Sequence, residues 1–281
     1  MVHTAQQLAN VPSSGSYITE IRLAEKRRTI HVMVAHVTAP TAALLDVLPA
    51  WVTLLRAPNP GPMTLDGTNT WILRDHGVVI DPGPLDEEHL AAVAEHAAAT
   101  KIRRILVTHG HFDHVEGAAR LSEMLGGVPV VAADPKHRVG SEPLRDGDGI
   151  RVLAVPGHTK DSVAFLVDDV VFTGDTILGR GTTVVAWPDG NLGDYLASLA
   201  KLEALGKVPV LPGHGPALAD CAAAARFYRD HRLARLDQVR ATGSRDANRV
   251  VEIVYADVDR ALWPAAEASV RAQLAYLESA P

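Results

Sequence analysis

The run His109-Gly-His-Phe-Asp-His114 constrains this chain more than any other feature, because it follows directly on the apolar run Arg104-Ile-Leu-Val-Thr108. A strand ending in such a cluster delivers imidazoles and a carboxylate to one point at a sheet edge. His109 and His111 alternate, so both can face one point from an extended segment. Asp113 and His114 follow on the turn into the next helix. Three more ligand-type residues stand on tight turns: His158 in Pro-Gly-His-Thr, Asp175 in Thr-Gly-Asp-Thr and His214 in Pro-Gly-His-Gly-Pro. Each follows a glycine, whose backbone freedom lets the next side chain be aimed sharply. Imidazole and carboxylate together suit zinc, iron or manganese, and seven such residues are enough for two metals. Taken singly each histidine has a bland explanation; taken jointly the pattern argues for a metal centre.

The flanking sequence supplies a frame. Strands are expected at 51–55, 69–73, 78–81, 102–108, 128–132, 150–155, 162–167, 170–173 and 208–211, with helices at 87–100, 115–125 and 192–205. Strands followed by helices in two successive halves predict two sheets packed face to face with helices outside. Helices at 217–239, 248–255 and 265–279 then form a small helical appendage. Residues 1–45 carry a Ser/Gly turn and a mixed charged stretch, and read as a loosely attached, partly disordered extension. The division expected is therefore an extension (1–45), a catalytic domain (46–216) and a helical C-terminal domain (217–281).

Composition narrows the class. With 281 residues, 47% hydrophobic and 21% charged, the chain reads as a globular protein with a substantial core. A formal net charge of -6 gives no overall field to attract nucleic acid. Cys221 is the single cysteine, so no internal disulfide forms, which fits a reducing cytoplasm. Its alanine-rich surroundings make it a helix-packing residue rather than a nucleophile. No apolar stretch is long enough to span a bilayer, and no secretory signal is legible at the N-terminus.

His109-x-His111-x-Asp113-His114 with His158, Asp175 and His214 resembles the metallo-β-lactamase superfamily over about residues 50–220. The resemblance implies a four-layer αββα sandwich with a dinuclear site on its edge. It also implies a partition: His109, His111 and His158 hold one metal, Asp113, His114 and His214 the other, and Asp175 bridges. Asn59-Pro-Gly-Pro-Met-Thr-Leu-Asp-Gly-Thr-Asn-Thr-Trp71, Thr173-Gly-Asp-Thr-Ile-Leu-Gly-Arg-Gly-Thr-Thr183 and Pro212-Gly-His-Gly-Pro216 look like the beta-lactamase-like protein 2 group. That group includes a single-strand endoribonuclease and thioesterases of polyketide pathways, and its members carry a winged-helix-like C-terminal piece. The present C-terminus resembles that piece in its helices, with no wing strands evident before Pro281.

Metal lowers the pKa of bound water to about 7, and two metals can share the resulting hydroxide. The expected activity is hydrolysis of an ester, thioester or similar acyl substrate by a metal-bridging hydroxide on two divalent ions, zinc first and iron or manganese as alternatives. Asp113 is expected to be a ligand that also orients that hydroxide or takes its proton. A single-strand endoribonuclease on the same site is the alternative, and an inactive metal-binding interaction protein a third. The partner expected is a small-molecule substrate, with single-stranded RNA the alternative and no membrane. Asn69 reads as a substrate contact or a turn stabiliser, Thr182 and Thr183 as substrate contacts or simple turn residues. Trp71 and Trp187 line the pocket or belong to the core. Arg226, Arg229, Arg232 and Arg235 spread over half a helix, which favours a solvated face over an RNA footprint. No cap domain fits between Asp175 and His214, and the Asp at the bridging position disfavours β-lactam turnover.

Overall fold

The computed structural model describes residues 40–279, together with the backbone of two strands, β1 (Tyr17–Arg22) and β2 (Thr29–Val34), that pair antiparallel as a unit of their own. The rest of the expected N-terminal extension lies outside the described residues, apart from its last segment. Composition assigned 40–45 to the extension, yet this segment is bonded into the main body. Leu45 N–H donates to Ala217 O at 3.0 Å and Ala219 N–H to Ala43 O at 2.8 Å.

The main body is built on two sheets. β3 (Val52–Arg56), β4 (Asn69–Leu73), β5 (Val78–Ile80), β6 (Arg104–Leu106) and β7 (Val130–Val131) form the first, in that order, antiparallel up to β5 and parallel beyond. β8 (Ile150–Ala154), β9 (Val163–Val167), β10 (Val170–Gly174) and β11 (Val210–Pro212) form the second, with only β10 and β11 parallel. Alternation along each strand divides the side chains between two faces. Trp71, Leu73, Ile80 and Leu106 meet Phe165, Val167 and Phe172 in the layer between the sheets. Their neighbours Ile72, Val79 and Ile105 turn outward.

Helices cover both outer faces. α1 (Glu87–Ala97) and α3 (Ala118–Met124) bury Leu90, Val93 and Leu121 against the first sheet, with the single turn α2 (Phe112–Val115) between them in sequence. α4 (Leu192–Glu203) and α5 (Cys221–Thr242) bury Tyr195, Leu199, Cys221 and Tyr228 against the second. The result is the four-layer αββα sandwich expected. α6 (Ala247–Val254) and α7 (Trp263–Ser279) close a smaller core around Val250, Val254 and Val270. The C-terminal helices are not a free appendage, since Ala272 of α7 also packs into the layer over the second sheet. Cys221 is buried there, and burial pushes its thiol up to about 12, as expected of a packing residue. Among the described residues no helix is long and apolar enough to cross a membrane.

Two of the arginines of α5 depart from the solvated face expected. Arg232 and Arg235 are buried, at 3% and 6% exposure. Arg232 lies over the Tyr195 ring, and Arg235 over Tyr255 while donating to Val254 O at 2.9 Å. Charge spacing does not reveal burial here, because planar guanidinium groups stack on aromatic faces.

Candidate metal centre

All seven ligand-type residues of the sequence pattern converge beyond the C-terminal ends of β6, β8, β10 and β11. β6 ends just before His109; His111 caps α2, and Asp113 and His114 lie within it. His158 follows β8, Asp175 follows β10 and His214 follows β11. His109, His111 and His158 form one group of ligand atoms; Asp113, His114 and His214 form a second.

Nitrogen geometry tests whether a cation fits. His111 Nδ1 lies 3.1 Å from His109 Nε2 and 3.1 Å from His158 Nε2. The outward nitrogens of His109 and His158 are already assigned donors. His158 Nδ1–H donates to Val184 O at 2.6 Å. The Thr108 hydroxyl donates to Asp81 Oδ2 at 2.7 Å, so its oxygen is free to accept from His109 Nδ1–H at 3.1 Å. Both Nε2 atoms therefore carry lone pairs aimed at a third nitrogen, which can hold only one proton. Tetrahedral zinc with bonds of ~2.0–2.1 Å brings ligand nitrogens to about 3.3 Å of one another, close to the spacing seen.

The second trio is built alike. His114 Nδ1–H donates to Asp81 Oδ2 at 2.9 Å, and His214 Nδ1–H to Gly67 O at 3.3 Å. Their Nε2 atoms face each other at 3.2 Å, and Asp113 Oδ2 lies 3.1 Å from that of His214 and 3.5 Å from that of His114. Asp175 stands between the trios. Its Oδ1 is 3.4 Å from His114 Nε2, and its Oδ2 is 3.4 Å from His214 Nε2 and 3.8 Å from His158 Nε2. Asp175 Oδ1 is buried with no hydrogen bond, an acceptor that a cation would satisfy.

Charge divides the two halves. Burial, reinforced by the neighbouring imidazoles, holds His109 well below its ordinary range, and burial brings His158 down to about 4. Both stand neutral, the form that ligates metal. Burial also works against charge on His114 and His214, but the Asp175 and Asp113 carboxylates outweigh it, raising His114 well above its ordinary value and His214 to about 9. Asp175 is held well below the usual carboxylate range: burial opposes its charge, and His214 and His114 overcome that opposition.

Asp81 is the functional residue that sequence reasoning passed over. It is 1% exposed, and it also accepts the Thr108 N–H on Oδ1 at 2.8 Å. One carboxylate thus orients a ligand in each trio, through His114 directly and through Thr108 to His109. Such outer partners fix tautomer and ring angle. Asp81-Pro-Gly reads in sequence only as the end of an apolar strand; the structure sets Asp81 apart with φ +51°, an unusual value for a non-glycine residue.

The three residues read as substrate contacts differ in their surroundings. Asn69 is fully buried, its amide donating to Pro212 O at 3.0 Å and Gly215 O at 2.8 Å, so it shapes the loop that carries His214. Thr183 is buried, donating to Asp175 O at 2.6 Å. Thr182 is partly exposed on the same loop. Trp71 is core, its indole N–H on Pro212 O at 3.2 Å, whereas Trp187 is 41% exposed.

The profile of the metallo-beta-lactamase superfamily matches residues 63–147 and 125–214, which hold all seven residues. The chain belongs to the metallo-β-lactamase superfamily. Its members are metal-dependent hydrolases, and the beta-lactamase associated winged helix domain matches residues 247–280. The chain is 32% identical over 253 residues to the beta-lactamase-like protein 2 homolog of Drosophila melanogaster, covering 78% of this chain and 85% of that one. It is 35% identical over 191 residues to the atrochrysone carboxyl ACP thioesterase of Aspergillus fumigatus, covering 63% of this chain and 59% of that one. A beta-lactamase domain protein from Burkholderia ambifaria shares the fold with a TM-score of 0.72 at 24% identity, over 87% of this chain and 95% of that one. TTHA1623, solved in a di-iron-bound form, superposes with a TM-score of 0.52 at 30% identity, over 62% of this chain and 98% of its own.

Proposed function

We propose that this superfamily hydrolase is dinuclear and cleaves an ester or thioester of a small acyl substrate. The observation that carries the reading is the convergence of five imidazoles, four with Nδ1–H held by an acceptor behind it, around the Asp113 and Asp175 carboxylates. His109, His111 and His158 would hold one divalent ion, Asp113, His114 and His214 the other, and Asp175 both. Zinc suits this donor set best, with iron or manganese the alternatives. When bound, such ions supply a hydroxide at neutral pH and polarise the scissile carbonyl.

The protein's own groups do the rest. Asp81 and Val184 O keep the imidazoles from rotating, so the ligand atoms are preorganised. Asp113, with 28% of its side chain exposed, is the more open of the two carboxylates and would orient the attacking water and take its proton. The acyl reading draws support from the thioesterase relative and from α5, where Arg229 and Arg226 face Glu203 while Arg232 and Arg235 are buried. No arginine stripe is left on that helix for an RNA backbone.

The test is elemental analysis of protein purified without added metal, followed by assays on an acyl thioester and on short single-stranded RNA. About two equivalents of metal, thioester turnover and loss of both in Asp175→Asn are expected, because a bridging ligand needs its charge. Absence of bound metal would overturn the dinuclear reading. RNA cleavage without thioester turnover would replace the acyl reading by the nuclease one.

A further inference from the structure

The loop from Asp175 to Val185 carries one ligand-type residue and orients another, and the C-terminal helices hold it at two points. Tyr228 of α5 accepts the Leu178 N–H at 2.9 Å and donates to Leu178 O at 3.2 Å. Ser269 of α7, 5% exposed, accepts the Val185 N–H at 3.3 Å. The Val185 N–H and the Val184 C=O belong to the same peptide unit, and Val184 O is the acceptor that holds His158 Nδ1–H at 2.6 Å. A peptide unit is planar, so its two ends cannot rotate independently. Ser269 grips one end and His158 the other. Donation by the N–H also polarises the carbonyl, which strengthens its hold on the imidazole.

We propose that Ser269 is a positioning residue for the metal centre. Through the Val184–Val185 peptide plane it sets the orientation and basicity of His158, and so couples the winged-helix segment to one half of the site. This rests on the dinuclear reading above, in which His158 is a ligand of the first ion. Ser269 lies two shells behind that ion and touches no substrate.

The experiment is metal competition against a graded series of chelators on the apo-protein reloaded with zinc or cobalt, comparing parent, Ser269→Ala, Ser269→Cys and Ser269→Thr. Substitutions one shell out cost about 10–100-fold in affinity; one shell further, Ser269→Ala is expected to weaken one of the two equivalents by about 3–10-fold and leave the other unchanged. Ser269→Thr keeps the hydroxyl and should match the parent. Ser269→Cys is nearly isosteric with a weaker acceptor; it should fall between the two and serves if Ser269→Ala does not fold. The cobalt absorption bands should shift in Ser269→Ala and return in Ser269→Thr. Two equivalents bound by all variants with parental affinity and unshifted bands would overturn the inference and leave the dinuclear reading standing. A parent that binds no metal would overturn the dinuclear reading itself.

Discussion

At the residue scale, Gly213 is required for space. A Cβ there would lie 2.5 Å from Asp175 Oδ1 and 2.7 Å from His114 Cε1, inside the centre itself. Gly213→Ala is expected to lower metal affinity more than tenfold while far-ultraviolet circular dichroism stays unchanged; parental metal content in the variant would refute this. Glycine freedom, the reason inferred from sequence, applies instead at Gly157 (φ +137°) and Gly174 (φ +49°), which precede His158 and Asp175. The seven ligand-type residues were legible because chemistry restricts which side chains can share such a site. Asp81 and Ser269 were not, because an outer partner is defined by what it touches. His231 offers a separate titration. Burial, with Arg232 and Arg235 beside it, brings its pKa down to about 3, against about 6.5 unfolded. The unfolded chain therefore takes up a proton that the fold refuses. Stability is full above pH 6.5 and falls as pH drops from 6.5 towards 3, by at most about 1.4 kcal/mol per unit. In metal-free protein, urea titrations from pH 7.5 to 4.5 should give a shallower decline for His231→Gln than for the parent; equal slopes would contradict the assignment.

At the scale of elements, short apolar runs bounded by turn residues located every strand of the two sheets within a few residues, because strands buried on both faces, such as β5 and β10, read as near-continuous apolar segments. Helix α2 was missed as a separate turn: it is four residues long and its sequence is dominated by ligands, which leaves no period to read. Caps mark the starts more sharply than periodicity does. Asp246 opens α6, its carboxylate accepting from Asn248 N–H at 2.9 Å and Arg249 N–H at 3.3 Å. Asp246→Ala should destabilise the protein by about 1 kcal/mol, read by urea midpoint. The β1–β2 pair lies in the stretch expected to be a loosely attached, partly disordered extension.

At the scale of the whole molecule, the ligand-type residues are divided between the halves of the chain. His109, His111, Asp113 and His114 precede the connection at 140–149, and His158, Asp175 and His214 follow it. That connection is largely exposed, so a protease should cut there first. On the dinuclear reading proposed above, the severed pieces would still share the Trp71–Phe172 layer and two cations whose ligand groups draw on both pieces. Ligand that binds only the assembled state adds to its stability by mass action. The nicked protein should therefore migrate as one particle, and after chelation should come apart in distinctly less urea. Such a metal-dependent reunion would make the ions a clasp between two polypeptides as well as a reagent.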